Sequence, residues 1–201
     1  MISQVVKRHR PTNLFSRCLS LTKSASFSTK GDCNNDPYSN IPQNILDLTE
    51  RKLYSDPQHP LSILIDKTMT FFTDEAQGYT DVKVPGEKFQ LFSGMSPFVS
   101  PEDCFDALFI PKDHVSRRPT DTYYQSKDVC LRTHTSVHQI PIIKDNNNAF
   151  LVMGDVYRKD TVDRTHYPAF HQMEGVRIFD IKETFGTTDP KEAKILIRKD
   201  L

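Results

Sequence analysis

The run Phe170-His171-Gln172-Met173-Glu174 follows a loop that carries charges of both signs. In an extended strand, alternate side chains point to opposite faces, so Phe170, Gln172 and Glu174 fall on one face. Upstream, Val152, Gly154, Val156 and Arg158 share a face in the same way. If the two faces meet, a guanidinium sits beside an aromatic surface and a carboxylate. Arginine grips phosphate oxygens through two donors and stays charged, and a phenyl ring can stack on a nucleobase. An acid beside an amide can hold an ammonium group by charge-assisted hydrogen bonds. These parts suit a site that joins a nucleotide to an amine-bearing small molecule. Each residue also has an ordinary role: Arg158 paired with Asp160, Phe170 in the core, Glu174 paired with Arg177. Spacing alone leaves both readings open.

The elements that would position these groups are legible in outline. "AFLVMGDVYRKD" and "AFHQMEGVRIF" read as two strands joined by a polar loop, a long antiparallel hairpin. Residues 41–55 suggest a short helix. "HPLSILIDKTMTFF" suggests a stronger one, with Leu61, Leu64, Ile65, Thr68, Met69 and Phe72 at helical spacing. "KFQLFSGMSPFVS" reads as one strand ending near Pro97. Ser100 to Asp103 reads as a cap, a first-turn proline and two acids that open a short helix. "YYQSKDVCLRTHTS" reads as an extended run ending at His134, after which Thr135 can cap a helix that Pro141 would kink. Asp189 and Pro190 open a last helix. Strands and helices mix without regular alternation, so an α+β fold is expected over a doubly wound one.

The chain has 201 residues, enough for one domain and a real core. Its formal net charge is zero but unevenly placed: residues 1–31 hold six basic residues and no acid, leaving 20 basic and 26 acidic residues beyond them. An acidic body argues against a broad nucleic-acid-binding surface. The basic, Ser/Thr-rich, acid-free stretch 1–30 has the composition of a mitochondrial transit peptide. Asn34 to Asn40 reads as a polar linker. No run of about eighteen apolar residues occurs, so no membrane span is expected. The four cysteines lack CxxC spacing, and His134 with His138 lacks a third ligand, so neither a disulfide framework nor a bound metal is expected.

"GDVYRKDTVDRTHYPAFHQMEG" resembles the second signature motif of class II phenylalanyl-tRNA synthetases, above all the single-chain mitochondrial form. "LRTHTS" resembles the segment of those enzymes that helps bind the amino acid. "FDALFIPKDHVSR" and "SGMSPFVS" resemble the neighbourhood of their first motif, and the blocks stand in family order from Pro60 to Phe179. The resemblance implies an antiparallel sheet of six to seven strands, flanked by helices, that binds ATP with Mg2+ and phenylalanine and then serves tRNA-Phe in the mitochondrial matrix. Carried over, Arg158 and His166 are the catalytic residues: Arg158 grips the α-phosphate of ATP, and His166 reaches the outer phosphates. Phe170 stacks on adenine. His134, Ser136, Gln172 and Glu174 hold the amino end of phenylalanine, with His134 and Ser136 sharing a direction if the backbone there is extended.

The third motif of that family, its Phe-Pro-Phe segment and its small tRNA-anchoring domain are not recognisable before Leu201. The expected organisation is therefore a transit peptide (1–30), a linker with an N-terminal helix (31–59) and a partial catalytic domain (60–201). A complete ligase of this type is expected to be monomeric, whereas half a sheet would expose an edge open to pairing. The competing expectation is a non-catalytic relative that binds a nucleotide or a protein partner.

Overall fold

The computed structural model describes residues 36–73, 89–159 and 163–200. The basic stretch 1–30, the turn-rich stretch 74–88 and Asp160 lie outside the described residues. In chain order the strands are β1 (Gln90–Phe92), β2 (Phe98–Val99), β3 (Tyr124–Ser126), β4 (Val129–Leu131), β5 (Ala149–Tyr157) and β6 (Ala169–Arg177). The α-helices are α1 (Gln43–Thr49), α2 (Pro60–Thr73), α3 (Gln139–Lys144), α4 (Ile181–Phe185) and α5 (Pro190–Asp200). Helices and sheets mix as the α+β class requires. Among the described residues the strands form two three-stranded sheets, β1-β5-β6 and β2-β4-β3.

β5 is buried at all nine positions because both of its faces are covered, which is why it reads as a nearly unbroken apolar run. It pairs antiparallel with β6 from Ala149↔Arg177 to Tyr157↔Ala169, the hairpin expected from the sequence, and parallel with β1. On one face Leu151 and Met153 pack against Ile65 and Met69 of α2. On the other, Phe150 and Val152 pack against Phe92 and against Ile142 of α3. The helical stripe of α2 is narrower than its spacing predicts: Ile65 and Met69 are buried, but Leu64 is 61% exposed.

Several boundaries fall elsewhere than the sequence predicts. "KFQLFSGMSPFVS" is not one strand: Gly94, at a φ of +71°, turns the chain between β1 and β2, which enter different sheets. "YYQSKDVCLRTHTS" folds back on itself as the β3–β4 hairpin, with Asp128 N–H donating to Ser126 Oγ in the turn. Lys127-Asp128 lacks the glycine that marks a two-residue hairpin, so the turn was hidden. The cap at Ser100 is real, since Ser100 Oγ accepts from Asp103 N–H at 3.0 Å. The turn that follows, Glu102–Asp106, widens to π bonding. Thr135 is not a cap: it is the first residue of a 3-10 turn, Thr135–His138, and its hydroxyl has no partner among the described residues. Pro141 does not kink a helix, because α bonding begins only at Gln139 and leaves the proline in the first turn, where an N–H is dispensable.

Asn40, at the end of the polar stretch, is docked. Asn40 donates to the carbonyls of Pro119 and Thr122 and accepts from Tyr124 N–H, which ties the start of α1 to β3. Asp189 caps α5 as its sequence predicts, accepting from Lys191 N–H at 2.9 Å. No helix among the described residues is long and apolar enough to cross a membrane.

Phe109 combines a φ of 59° with 92% exposure. A bulky side chain in the left-handed region costs about 1–2 kcal/mol, and this one recovers little by burial. Phe109→Gly is therefore expected to raise unfolding stability by about 1 kcal/mol, read as a higher denaturant midpoint at unchanged slope. A lower midpoint would mean that the ring makes contacts which outweigh the backbone strain.

Candidate functional site

The β5–β6 register sets the site. Val156 lies opposite Phe170, Gly154 opposite Gln172 and Val152 opposite Glu174, so all six side-chain positions share one face. The 3-10 turn Thr135–His138 and the start of α3 sit over it. Thr135 N–H, an unpaired donor at the opening of its turn, donates to Gln172 Oε1 at 3.1 Å. Ser136 Oγ lies 2.9 and 2.7 Å from the two Glu174 oxygens, and Gln139 Nε2 donates to Glu174 Oε2 at 2.5 Å. Glu174 is half-buried, and among the described residues no Lys or Arg pairs with it. A carboxylate held by neutral donors alone has no charged partner to displace when a cation approaches.

Arg158 closes the other end of the face. Its Nε donates to the Thr133 carbonyl at 3.1 Å, and its guanidinium carbon lies 5.0 Å from the centre of the Phe170 ring. The stack covers one ring face and leaves the guanidinium exposed. A cavity of about 270 Å³ opens here, lined by Ile110, Val115, Ser116, Asp121, Thr133, His134 and Arg158. Ile110, Val115 and Ser116 in its lining belong to the loop clamped by Arg117, which bonds Asp106 at 2.5 Å and lies over Phe105.

His134 reaches this cavity from an extended backbone with a φ of −160°, whereas Ser136 belongs to the 3-10 turn, so the backbone is not extended through both and the two side chains meet different surroundings. Ser136 serves Glu174, while both ring nitrogens of His134 are buried without a partner among the described residues. Burial pushes the His134 ring below the ordinary histidine range. A buried ring lowered in this way, with its nitrogens at a cavity wall and no side-chain partner among the described residues, is suited to a polar ligand.

His166 stands apart from these groups in the exposed β5–β6 connection. Asp163 accepts from its backbone N–H, and the ring Nδ1 lies 2.9 Å from the Asp163 carboxylate. Bonds from the Thr165 N–H, and then from the His166 ring, hold the Asp163 carboxyl below the ordinary carboxylate range. The opposite sheet face has a hydrogen-bonded contact of its own, His171 Nδ1 with Asp155 Oδ1.

Two contributors went unread in the sequence. Gln139 stands three residues after Ser136, a helical spacing that puts both on one side, and that signal was present. Gly154 stands on the face that strand alternation predicts, and its partner there is one that local sequence does not reveal. Arg132, 3% exposed, lies over it and donates to the carbonyls of Asp155 at 2.7 Å and Met95 at 3.1 Å. Arg132 Nη1 also lies 2.9 Å from His138 Nε2. Arginine can only donate, so this ring nitrogen accepts and carries no proton.

Residues 48–187 match the model of the class II tRNA synthetase core domain (F), and the chain belongs to this family. Among its relatives, the mitochondrial phenylalanine–tRNA ligase of Dictyostelium discoideum is 46% identical over 143 residues, covering 71% of this chain and 30% of the relative. The chloroplastic/mitochondrial phenylalanine–tRNA ligase of Arabidopsis thaliana is 37% identical over 166 residues, 83% of this chain and 36% of the relative. The mitochondrial enzyme of Rattus norvegicus is 39% identical over 151 residues, 75% and 31% respectively. The chain thus spans about a third of the length of these relatives.

Burial, and then the Arg132 charge, push the His138 ring down to about 3. An unfolded histidine titrates near 6.5, so as the pH falls the unfolded chain takes up the proton first. Stability supplied by the neutral ring is complete above about pH 7 and is lost as the pH falls from about 6.5 toward 3, at up to about 1.4 kcal/mol per pH unit. The lowered His134 acts in the same direction. Urea midpoints are expected to drop between pH 7 and pH 5, and less steeply in His138→Gln, which cannot titrate. Equal slopes in the two chains would place the titration elsewhere.

Proposed function

We propose that this chain supplies the nucleotide- and amino-acid-gripping part of a phenylalanine–tRNA ligase, which activates phenylalanine with ATP and passes it to tRNA-Phe in the mitochondrial matrix. Glu174 carries the reading: a half-buried carboxylate fixed by Ser136 and Gln139, with no cationic partner among the described residues, on the strand face where Arg158 stacks on Phe170. The names of the relatives, two of them mitochondrial and one chloroplastic/mitochondrial, and the basic, acid-free stretch 1–30 support the same assignment.

In this reading the phenylalanine ammonium enters beside Glu174 and Gln172, and His134 contributes from the cavity wall. The carboxylate of the amino acid attacks the α-phosphorus. A new P–O bond forms as the bond to pyrophosphate breaks, and no side-chain nucleophile is required. Arg158 meets the α-phosphate as charge develops there, and His166, on its Asp163 tether, meets the outer phosphates. Arg158 covers one face of Phe170, so the adenine takes the free side of the ring. Clamping the ammonium aims the carboxylate, and this orientation is the main contribution of the amino-acid end. Magnesium arrives on the nucleotide phosphates as part of the substrate. Among the described residues no group of three His, Cys, Asp or Glu side chains could hold it, and no step here passes through it.

Phenylalanine-dependent exchange of pyrophosphate into ATP tests the assignment. Glu174→Gln keeps the shape but removes the charge. It is expected to lower exchange by about 30-fold or more, equivalent to about 2 kcal/mol, with ATP binding unchanged. Exchange at the wild-type rate in Glu174→Gln would contradict the role of the carboxylate. ATP and phenylalanine bound without exchange would favour the non-catalytic reading.

A further inference from the structure

Arg132 touches three segments that meet beside the site. Its backbone N–H donates to the Pro97 carbonyl, and its own carbonyl accepts from Tyr157 N–H at 3.0 Å, which joins β4 to the end of β5. Its side chain then crosses the face of β5. Nε donates to the Asp155 carbonyl, and Nη1 serves the Met95 carbonyl and the His138 ring. His138 is the last residue of the 3-10 turn whose first two residues reach Gln172 and Glu174. The guanidinium therefore pins the far end of the same turn that presents donors to the amino-acid end.

The position of that pin depends on an absent side chain. A Cβ built on Gly154 would lie 2.1 Å from Arg132 Nη2 and 2.7 Å from Cζ. The backbone of Gly154 is not in the left-handed region, so the demand is for space, not for torsional freedom. Gly154 is directly opposite Gln172, and Val152, two residues away, is opposite Glu174. A side chain at 154 would push the guanidinium off the sheet, and His138 with its turn would follow.

We propose that Arg132 is a positioning residue for the ammonium subsite. Seated over Gly154, it holds the Thr135–His138 turn through His138, at the height where Thr135 N–H meets Gln172 and Ser136 and Gln139 meet Glu174. This rests on the amino-acid-binding reading above. General core packing would lower stability when disturbed. Positioning also changes which ligand is preferred, because the donors that orient Glu174 shift while Arg158 and Phe170 stay in place.

The test uses the full chain with His138→Leu, His138→Gln and Gly154→Ala, which avoids dependence on an Arg132 variant that fails to fold. Calorimetry compares phenylalanine with 3-phenylpropanoate, the same acid without the amine. Amide hydrogen exchange compares Thr135 with the amides of β5. His138→Leu and Gly154→Ala are expected to lower the preference for phenylalanine by about tenfold and to speed exchange at Thr135 by a similar factor, with β5 protection retained. His138→Gln, whose amide oxygen can accept from Arg132, is expected to restore both to within about twofold. Unchanged preference and exchange in His138→Leu would overturn the proposal, as would a parallel loss of protection throughout β5. If the wild-type chain shows no preference for phenylalanine, the amino-acid reading fails. Exchange at Thr135 then decides by itself: unchanged rates remove Arg132 as the pin of the turn, and a rise reversed in His138→Gln retains it.

Discussion

A guanidinium buried to 3% exposure, facing carbonyl oxygens and a neutral imidazole, holds the site side of this chain together. Taking such a charge out of water costs several kcal/mol unless its hydrogen bonds are satisfied. No carboxylate forms an ion pair with Arg132 among the described residues. The compensation comes from Asp155, Met95 and His138, drawn from three separate segments. Those segments are the strand that carries the site face, the turn between β1 and β2, and the end of the turn that supplies its donors. The same contacts require a ring nitrogen without a proton at His138 and no side chain at Gly154. Glycine, arginine and histidine at these positions express one constraint.

From that anchor the face divides by charge. Around Glu174 the donors are a hydroxyl and an amide, and no cationic side chain pairs with the carboxylate among the described residues. At the other end Arg158 is aimed by a single carbonyl and an aromatic ring, so its charge stays available to an anion. The pairs Val152↔Glu174, Gly154↔Gln172 and Val156↔Phe170 set the distance between the ends by strand geometry alone. The rigidity comes from β5, whose two covered faces leave it little freedom.

The strand face itself was legible because alternation with period two survives folding whenever both strands are long. Phe170, Gln172, Glu174 and the face of Val152 to Arg158 stand where that rule puts them. Short elements were harder to read. β1 and β2 merge in sequence because Gly94 and Pro97 look like irregularities inside one apolar run, and the Lys127-Asp128 turn has no glycine to mark it. The likeness to the synthetase motif points to His134 and Ser136, with one direction only if the backbone stays extended; a 3-10 turn begins at Thr135 between them, so their side chains meet different surroundings. Gln139 could have been found from its helical offset to Ser136. Arg132 could not, because nothing local says that an arginine after a buried strand will fold back over a glycine 22 residues later.

The most direct measurement is the change in backbone amide resonances as phenylalanine is titrated into the isotopically labelled chain. The amides of Thr135, Ser136, Gln139 and Gly175 are predicted to move together and to saturate, while those of His171 and Met153, on the opposite sheet face, stay within error. Saturable shifts centred on the Asp155–His171 side, or none at Thr135 and Gln139 at saturating phenylalanine, would contradict the assignment of this strand face to the amino acid.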